Sequence, residues 1–595
     1  MKGIPYIPDT APFSPEQRAW LNGFLAGLMS NIGPAEITAP QPSAAPSSPL
    51  EPLLILFGSQ TGSAEGLAKR AAKEAGSRGF APRVLALNDC EQAALAQGGK
   101  VVVISSTYGD GDPPDNAVNF WFWLNSSAAP RLEKLQFAVL GLGDKNYADF
   151  CGASKKFDAR LEALGARRLL PRGECDTDYE APARQWLDSL WKNLMRGEGA
   201  APDSNGHALP GLNGNGHQPA EKAAFSKTNP FSARLLKNVC LNKPGSGKEV
   251  WHHEISLEGG GVSYEVGDAL GVVPLNCPAL VQDLLALLRC QGSEVVKVGD
   301  AEMPLHEALL RHLEITKPTP DLLDVVARRA PGCELASLLT TDRASDLKKW
   351  LWGRDVIDLL RLLPEPLSAT EFVPALRKLA PRLYSIASSP KAHPEQAHLC
   401  VGAVRYQSHG RDRSGVASTF LADRLGAEEH LKVFVQPSPS FKPPTNGDTP
   451  MIMVGPGTGI APFRAFLEER QAIGAKGKNW LFFGDQRRST DFLYEEQLTG
   501  WVKDQHLTRL DLAFSRDQQE KIYVQDRMLE NASELWSWLD AGAHFYVCGE
   551  ASRMAADVDA ALHKVIETRG GKSADEARTY VARLRSERRY QRDVY

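Results

Sequence analysis

Residues 53–64 read LLILFGSQTGSA: the apolar run Leu53–Phe57 breaks into Gly58-Ser59-Gln60-Thr61-Gly62-Ser63-Ala64, and a helical pattern follows. An apolar run without alternation is buried on both faces, as in a parallel sheet covered by helices. Val101–Ser105 and Phe137–Leu140 repeat the pattern and also end in polar loops. These are Ser106-Thr107-Tyr108-Gly109-Asp110-Gly111 and Leu142-Gly143-Asp144-Lys145-Asn146-Tyr147. Ligands of open α/β sheets bind beyond the carboxyl ends of the strands. Hydroxyls and bare N–H groups at a helix N-terminus cradle an anion, and no GK[ST] follows the first loop, which disfavours a triphosphate P-loop. A cradle without Lys or Arg suits a phosphate monoester, and a Tyr in each of the other two loops suits a flat ring stacked against them. Asn119–Leu124 (NFWFWL) reads as core.

Outward from this block, 595 residues imply about four domains. Hydrophobic residues make up 43% and charged residues 24%, which excludes wholesale disorder. A net charge of −4 lacks the basic excess of a nucleic-acid-binding chain. No apolar run approaches the roughly 20 residues of a membrane helix, and no signal peptide is read, so a cytoplasmic protein is expected. Nine cysteines contain no CxxC or CxC pair, so zinc and iron–sulfur ligation lose their usual signature and no metal site is expected.

Pro34–Pro52 carries six prolines among Ala and Ser, which is linker composition. The amphipathic Pro15–Met29 before it reads either as a packed terminal helix or as an assembly helix. Between Trp191 and Phe225 there is no aromatic residue while Gly and Pro accumulate. A tether of about 27 such residues spans roughly 30 Å, enough for the first block to move against the rest. Beyond Phe225, Val250–Leu257 and His398–Arg405 read as alternating antiparallel barrel strands. Residues 275–375, rich in Leu, Ala and Arg, read as a helical insert. Strands Met451–Val454, Asn479–Phe483 and His544–Cys548 restore βαβ patterning. The expected order is α/β, barrel with helical insert, α/β.

Three stretches of this second half carry chemistry. Arg382-Leu383-Tyr384-Ser385 offers a bidentate pyrophosphate ligand, a stacking ring and a hydroxyl, although alone it is a four-residue coincidence. Gly415-Val416-Ala417-Ser418 opens a helix suited to a pyrophosphate. The strand Met451–Val454 runs into Gly455-Pro456-Gly457-Thr458-Gly459, and glycines there let backbone approach a dinucleotide. Ser515-Arg516 and Lys521-Ile522-Tyr523-Val524-Gln525 follow, with Tyr546-Val547-Cys548-Gly549-Glu550 beyond. Arg516 and Lys521 supply the positive charge a 2′-phosphate requires, which favours NADPH over NADH.

RLYS, GPGTGIAPFR and YVCGE in this order, closing on Arg588–Tyr595 (RRYQRDVY), resemble the ferredoxin-NADP-reductase-type half of the diflavin reductases. The first block resembles their flavodoxin-like FMN domain, so the likeness runs from about residue 53 to the end. Within that family GKNWLFFGD (477–485), EKIYVQD (520–526), RYQRDVY and SPEQRAWLNGFLAGLM (14–29) are similar to the flavoprotein subunits of NADPH-sulfite reductases. The resemblance implies an N-terminal assembly segment and linker over 1–52, a flavodoxin-like FMN domain over 53–195 and a linker over 196–224. It further implies an antiparallel FAD barrel with helical insert over 225–448 and an α/β NADP-binding domain over 449–595. FMN would lie between Tyr108 and Tyr147, with Ala148, Asp149, Phe150 and Cys151 completing its site. FAD would sit on Thr316, Arg382–Ser385, Cys400, Val401, Gly402, Tyr406 and Gly415–Ser418. NADPH would sit on Gly457, Thr458, Ser515, Arg516, Lys521–Gln525 and Asp557. Ser385, Cys548 and Asp593 would form the hydride-transfer cluster, and Tyr595 would cover the FAD ring and move aside for nicotinamide. Cys548 alone also reads as an ordinary buried thiol.

The same resemblance implies a haem-protein electron acceptor, a siroheme iron–sulfur sulfite reductase subunit, since this chain has no ligand signature for either group. The loop STYGDGDPPDN is worded like that of microsomal cytochrome reductases, because sulfite reductase flavoproteins usually carry Gln where Tyr108 stands. A free-standing cytochrome reductase is therefore the alternative, and a non-catalytic flavin-binding scaffold a third. Asp110, Asp112, Asp115 and Asp149 form an acidic edge that either steers a basic acceptor or is simply solvated. The N-terminal segment would join copies of the chain.

Overall fold

The computed structural model describes residues 50–595, apart from 60–61, 108–110, 127–128, 144–148, 177–178, 196–224, 341–342, 427–429 and 552. The segment expected to serve assembly, most of the expected first linker and the glycine-rich stretch 196–224 therefore lie outside the described residues. So do Gln60, Thr61, Tyr108, Gly109, Asp110, Asp144, Lys145, Asn146, Tyr147 and Ala148.

The first sheet comprises β1 (Glu51–Gly58), β2 (Phe80–Ala86), β3 (Gly99–Ser106), β4 (Leu135–Leu142), β5 (Arg167–Arg168) and β6 (Gly173–Cys175). Its order is β2-β1-β3-β4-β5, with β6 also on β4, and β1, β3 and β4 run parallel. Both faces of β1 are covered, which is why its sequence does not alternate. Leu53, Ile55 and Phe57 pack under helices Ser63–Ser77 and Glu180–Met195. Leu56 joins the opposite layer with helices Asp115–Asn125 and Gly152–Ala163. Asn119–Leu124, expected as core throughout, buries Phe120 and Leu124 but leaves Phe122 64% exposed. A helix lying on a sheet hides only one stripe, and positions 120 and 124 share it.

β7 (Phe231–Cys240), β8 (Val250–Ser256) and β9 (Ala269–Val273) begin the antiparallel barrel. The insert then runs from helix Pro278–Leu288 to the turn Val373–Ala375 around its own leucine-rich core. Beside its helices it also holds a two-stranded ribbon, β10 (Val295–Val298) with β11 (Ala301–Pro304). β12 (Arg382–Ser385) and β13 (Gln396–Gly402) return to the barrel. The hairpin β14 (Arg405–Ser408) with β15 (Arg411–Ser414) follows, then β16 (His430–Gln436), giving the sheet order β12-β9-β16-β7-β8-β13. Residues 398–405, expected to alternate as one strand, are continuously buried as far as Val401 and end as strand at Gly402. The cause is a second covered face. Ala397, Leu399 and Val401 fill the barrel, while Cys400 packs into the core of the following domain.

The last sheet holds β17 (Met451–Val454), β18 (Asn479–Asp485), β19 (Arg509–Phe514), β20 (His544–Gly549) and β21 (Tyr590–Val594), in the order β19-β18-β17-β20-β21 and parallel throughout. Ile452 and Val454 face one helix layer, Met451 and Met453 the other. Among the described residues no helix is long and apolar enough to cross a membrane.

Candidate active site

At the carboxyl end of the first sheet the described residues build the frame of three converging loops. Gly62 stands at φ +85° before helix Ser63–Ser77, a conformation cheap only for glycine, and no atom crowds the space a Cβ would take. The Ala64 N–H donates to Ser59 Oγ, and Ser59 itself is tied by its N–H to Asn116 Oδ1 at 2.8 Å. Ser106 Oγ donates to the Gly58 carbonyl, while the Thr107 N–H donates to Leu142 O at 2.9 Å. Thr107 Oγ1, just beyond the end of β3, is buried with no hydrogen-bond partner among the described residues. The second and third loops touch: a Cβ on Gly111 would stand 2.1 Å from Asp149 Oδ2, and one on Gly152 2.6 Å from the Gly111 Cα. Leu142 and Cys151 are core residues. The acidic edge is partly neutralised, since Asp112 pairs with Lys156 at 2.9 Å.

In the barrel, Arg382, Leu383, Tyr384 and Ser385 lie on β12 against β9. Arg382 Nη2 donates to Glu314 Oε2 at 3.1 Å, and Glu314 also accepts the Thr316 N–H at 2.9 Å, so Thr316 and Arg382 are brought together by a buried carboxylate. Burial pushes Glu314 up, but its hydrogen bonds to Thr316 and the charge of Arg382 outweigh this and leave it below the ordinary carboxylate range. Cys400 and Val401 turn their side chains into two cores, so only their backbone can reach a ligand. Tyr406 is exposed on the hairpin β14–β15. Gly415, Val416, Ala417 and Ser418 open a short helix, and Ser418 Oγ accepts the Val404 N–H at 3.1 Å.

Between barrel and last sheet lies a cavity of 820 Å³. Its walls bring together Gly402, Gly457, Thr458, Ser515, Tyr523, Val524, Gln525, Asp557 and Tyr595, which are scattered over nearly two hundred positions of sequence. Arg516 and Lys521 are exposed and stand outside the wall, with Ile522 beside them. Gly459 is required by contact: its Cβ would be 2.2 Å from the Cys548 carbonyl oxygen. Within the last sheet, register pairs Cys548 on β20 with Asp593 on β21. Ser385 Oγ donates to Asp593 Oδ2 at 2.6 Å, and Cys548 Sγ donates to the same oxygen at 3.8 Å. Burial raises the Asp593 carboxyl, with the Ser385 and Cys548 hydrogen bonds pulling it back in part. Burial and the neighbouring Asp593 hold Cys548 far above the usual thiol range, so it stays a thiol. The Tyr595 hydroxyl and Thr458 Oγ1 share a hydrogen bond of 2.8 Å.

Sequence reading missed Glu314, and it missed the loop 241–249 between β7 and β8. That loop straps the barrel to the last sheet. The Lys243 N–H donates to Thr490 O at 2.9 Å, Asn242 Nδ2 donates to Asp491 Oδ1 at 2.9 Å, and Ser246 Oγ donates to the same carboxylate. Lys248 ends the strap in an ion pair with Asp485 at 2.6 Å, and both line the cavity. The Pro and Gly residues of KPGSGKE (243–249) mark a turn but carry no sign of what it touches.

A parallel sheet whose strands β1, β3 and β4 end side by side, joined to a barrel and a nucleotide-type α/β sheet that meet at a Ser–Asp–Cys cluster, defines a diflavin oxidoreductase using FMN, FAD and NADPH. Family models agree: flavodoxin matches residues 55–186, the FAD binding domain 223–420 and the oxidoreductase NAD-binding domain 453–560. The "Sulfite reductase [NADPH] flavoprotein alpha-component" of Bacillus subtilis is 45% identical over 97% of this chain and 95% of its own length. Those of Vibrio vulnificus and Mannheimia succiniciproducens are 41% and 40% identical, over 100% and 99% of this chain and 96% and 99% of theirs. The chain belongs to the family of NADPH-sulfite reductase flavoprotein alpha-components.

Proposed function

We propose that this chain draws reducing equivalents from NADPH and passes them through FAD and FMN to a siroheme iron–sulfur hemoprotein that reduces sulfite; the relatives' name carries the NADPH-dependent sulfite reductase part of this reading. The supporting observation is the hydrogen-bonded set Ser385–Asp593–Cys548 beside Tyr595, which itself lines a dinucleotide-sized cavity. When bound, FAD accepts an electron pair from nicotinamide and FMN releases electrons singly, as a haem acceptor requires.

The chain's own residues arrange that exchange. Ser385 commits its one hydroxyl proton to Asp593, so its oxygen can only accept a further hydrogen bond. Asp593, raised by burial, holds a proton more readily than an exposed carboxylate. Cys548 packs as a neutral thiol. Tyr595 leaves to admit nicotinamide, at the cost of one hydrogen bond to Thr458, about 1 kcal/mol. Arg382 and residues 415–418 hold the FAD pyrophosphate, Ser515, Arg516 and Lys521 the 2′-phosphate, and residues 59–64 the FMN phosphate, with Tyr108 and Tyr147 against its ring. Residues 53–195, 225–448 and 449–595 are the FMN, FAD and NADP domains. The tether 196–224 lets the first swing from the FAD half to the acceptor, and residues 1–52 join copies of this cytoplasmic chain.

Flavin content and copurification test the proposal together. The expected outcome is one FAD and one FMN per chain, both bleached by NADPH without oxygen, and a siroheme protein recovered with the tagged chain. A colourless chain after supply of both flavins, or one flavin type at saturation, overturns it. Rapid reduction of cytochromes with no siroheme protein captured moves the acceptor to a free-standing cytochrome reductase.

A further inference from the structure

The Lys248–Asp485 pair stands where a nucleotide and the protein compete for one cation. Asp485 ends β18, between the glycine loop after β17 and the Ser515 end of β19, so a dinucleotide spanning those two loops passes over it. Its side chain is fully buried, whereas that of Lys248 is 38% exposed to the cavity. Asp485 Oδ1 takes Lys248 Nζ at 2.6 Å and the Gln486 N–H at 2.7 Å. Asp485 Oδ2 is buried and has no hydrogen-bond partner among the described residues, and it lies beneath Gly457, whose Cβ would be 3.8 Å away. A buried carboxylate with one oxygen unspent depends on its single cation. Among the described residues the other cations in the cavity wall are Arg405 and Arg553; Arg405 is already held by Glu249 at 3.2 Å and Asp423 at 2.6 Å.

We propose that Lys248 is exchanged from Asp485 to the nucleotide's phosphates on binding, and that Asp485, left without its cation, takes up one proton from solvent. The inference rests on the cavity being the NADPH site. No bond other than O–H forms, and the proton replaces the departed ammonium charge at the carboxylate. The other groups facing Asp485 favour this outcome. Asp491, on the helix Arg488–Asp491, adds negative charge, Cys400 on β13 is a neutral thiol, and burial already raises the Asp485 carboxyl while Lys248 and the Gln486 N–H restrain it. Asp485 is thus a positioning residue that holds Lys248 until the nucleotide arrives and tunes how tightly the nucleotide is held.

Calorimetric titration of the flavin-loaded chain with NADP⁺, in two buffers of unlike ionisation enthalpy at about pH 7, separates this from a structural clasp. Wild type is expected to take up a fraction approaching one proton more than Asp485→Asn, which cancels any titration of the 2′-phosphate itself. Asp485→Asn is expected to bind NADP⁺ severalfold more tightly, because Lys248 is no longer shared. Lys248→Met is expected to bind roughly tenfold more weakly and to lose the uptake, because its Asp485 is protonated beforehand. A clasp alone would weaken binding in both variants. Equal proton counts in wild type and Asp485→Asn, or weaker binding by Asp485→Asn with its FAD content intact, overturns the exchange. A wild-type chain that binds no NADP⁺ overturns the nucleotide assignment, and the exchange with it.

Discussion

The loop after β1 and the strand ends of the last sheet differ in their electrostatics. In the first sheet no Lys or Arg stands in the loop 58–64, Thr107 Oγ1 is left unspent, and the loops meet through close glycine contacts. In the last, ionisable groups are present and paired within the protein: Ser385 and Cys548 on Asp593, Lys248 on Asp485. A cradle of neutral donors binds by shape and keeps its ligand, which suits a resident group. A site whose charges already have partners must trade contacts to bind, which suits a reactant that enters and leaves on every cycle.

Three substitutions can break or sharpen this contrast. The largest effect belongs to Asp593→Asn, which removes the acceptor shared by Ser385 and Cys548. Flavin bleaching by NADPH in stopped flow is expected to slow by about 10²-fold with both flavins still bound, and an unchanged rate would show that the cluster is mere packing. Next comes Gly459→Ala, whose methyl group meets the Cys548 carbonyl oxygen and must displace the glycine loop. It is expected to lower stability by about 1–3 kcal/mol and to weaken NADP⁺ binding, read by thermal melting and titration, while FMN retention stays as in wild type. The smallest is Thr107→Val, which should loosen FMN by roughly tenfold, the worth of about one hydrogen bond. Fluorescence of released FMN measures it, and equal loss of FAD would erase the distinction between the two regions.

Much of the architecture was legible because it depends on local pattern. Leu53–Phe57, Val101–Ser105 and Met451–Val454 are strands covered on both faces, and unbroken apolar runs announce that. Asp593 and Cys548 were legible only through motif likeness, since nothing in RDVY or YVCG tells that β20 and β21 lie side by side. Glu314 and Asp485 were hidden for a different reason. Their importance comes from cations 68 and 237 positions distant in sequence, and a lone acidic residue at a strand or helix end looks like any solvated one. His398–Val401 misled for the same cause, because a barrel strand alternates only if one side meets water, and here a neighbouring domain covers it.

The strap 241–249 has a consequence for anyone recombining these proteins. Asn242, Lys243, Ser246 and Lys248 belong in sequence to the barrel yet spend their hydrogen bonds and charge on residues 485–495. A chimera cut near residue 449, where the chain passes between the two lobes, would inherit a pyridine-nucleotide lobe stripped of its clasp and with a carboxylate bare in its floor. Swapping coenzyme preference between relatives therefore calls for transplanting two segments, the lobe and the distant turn that closes over it.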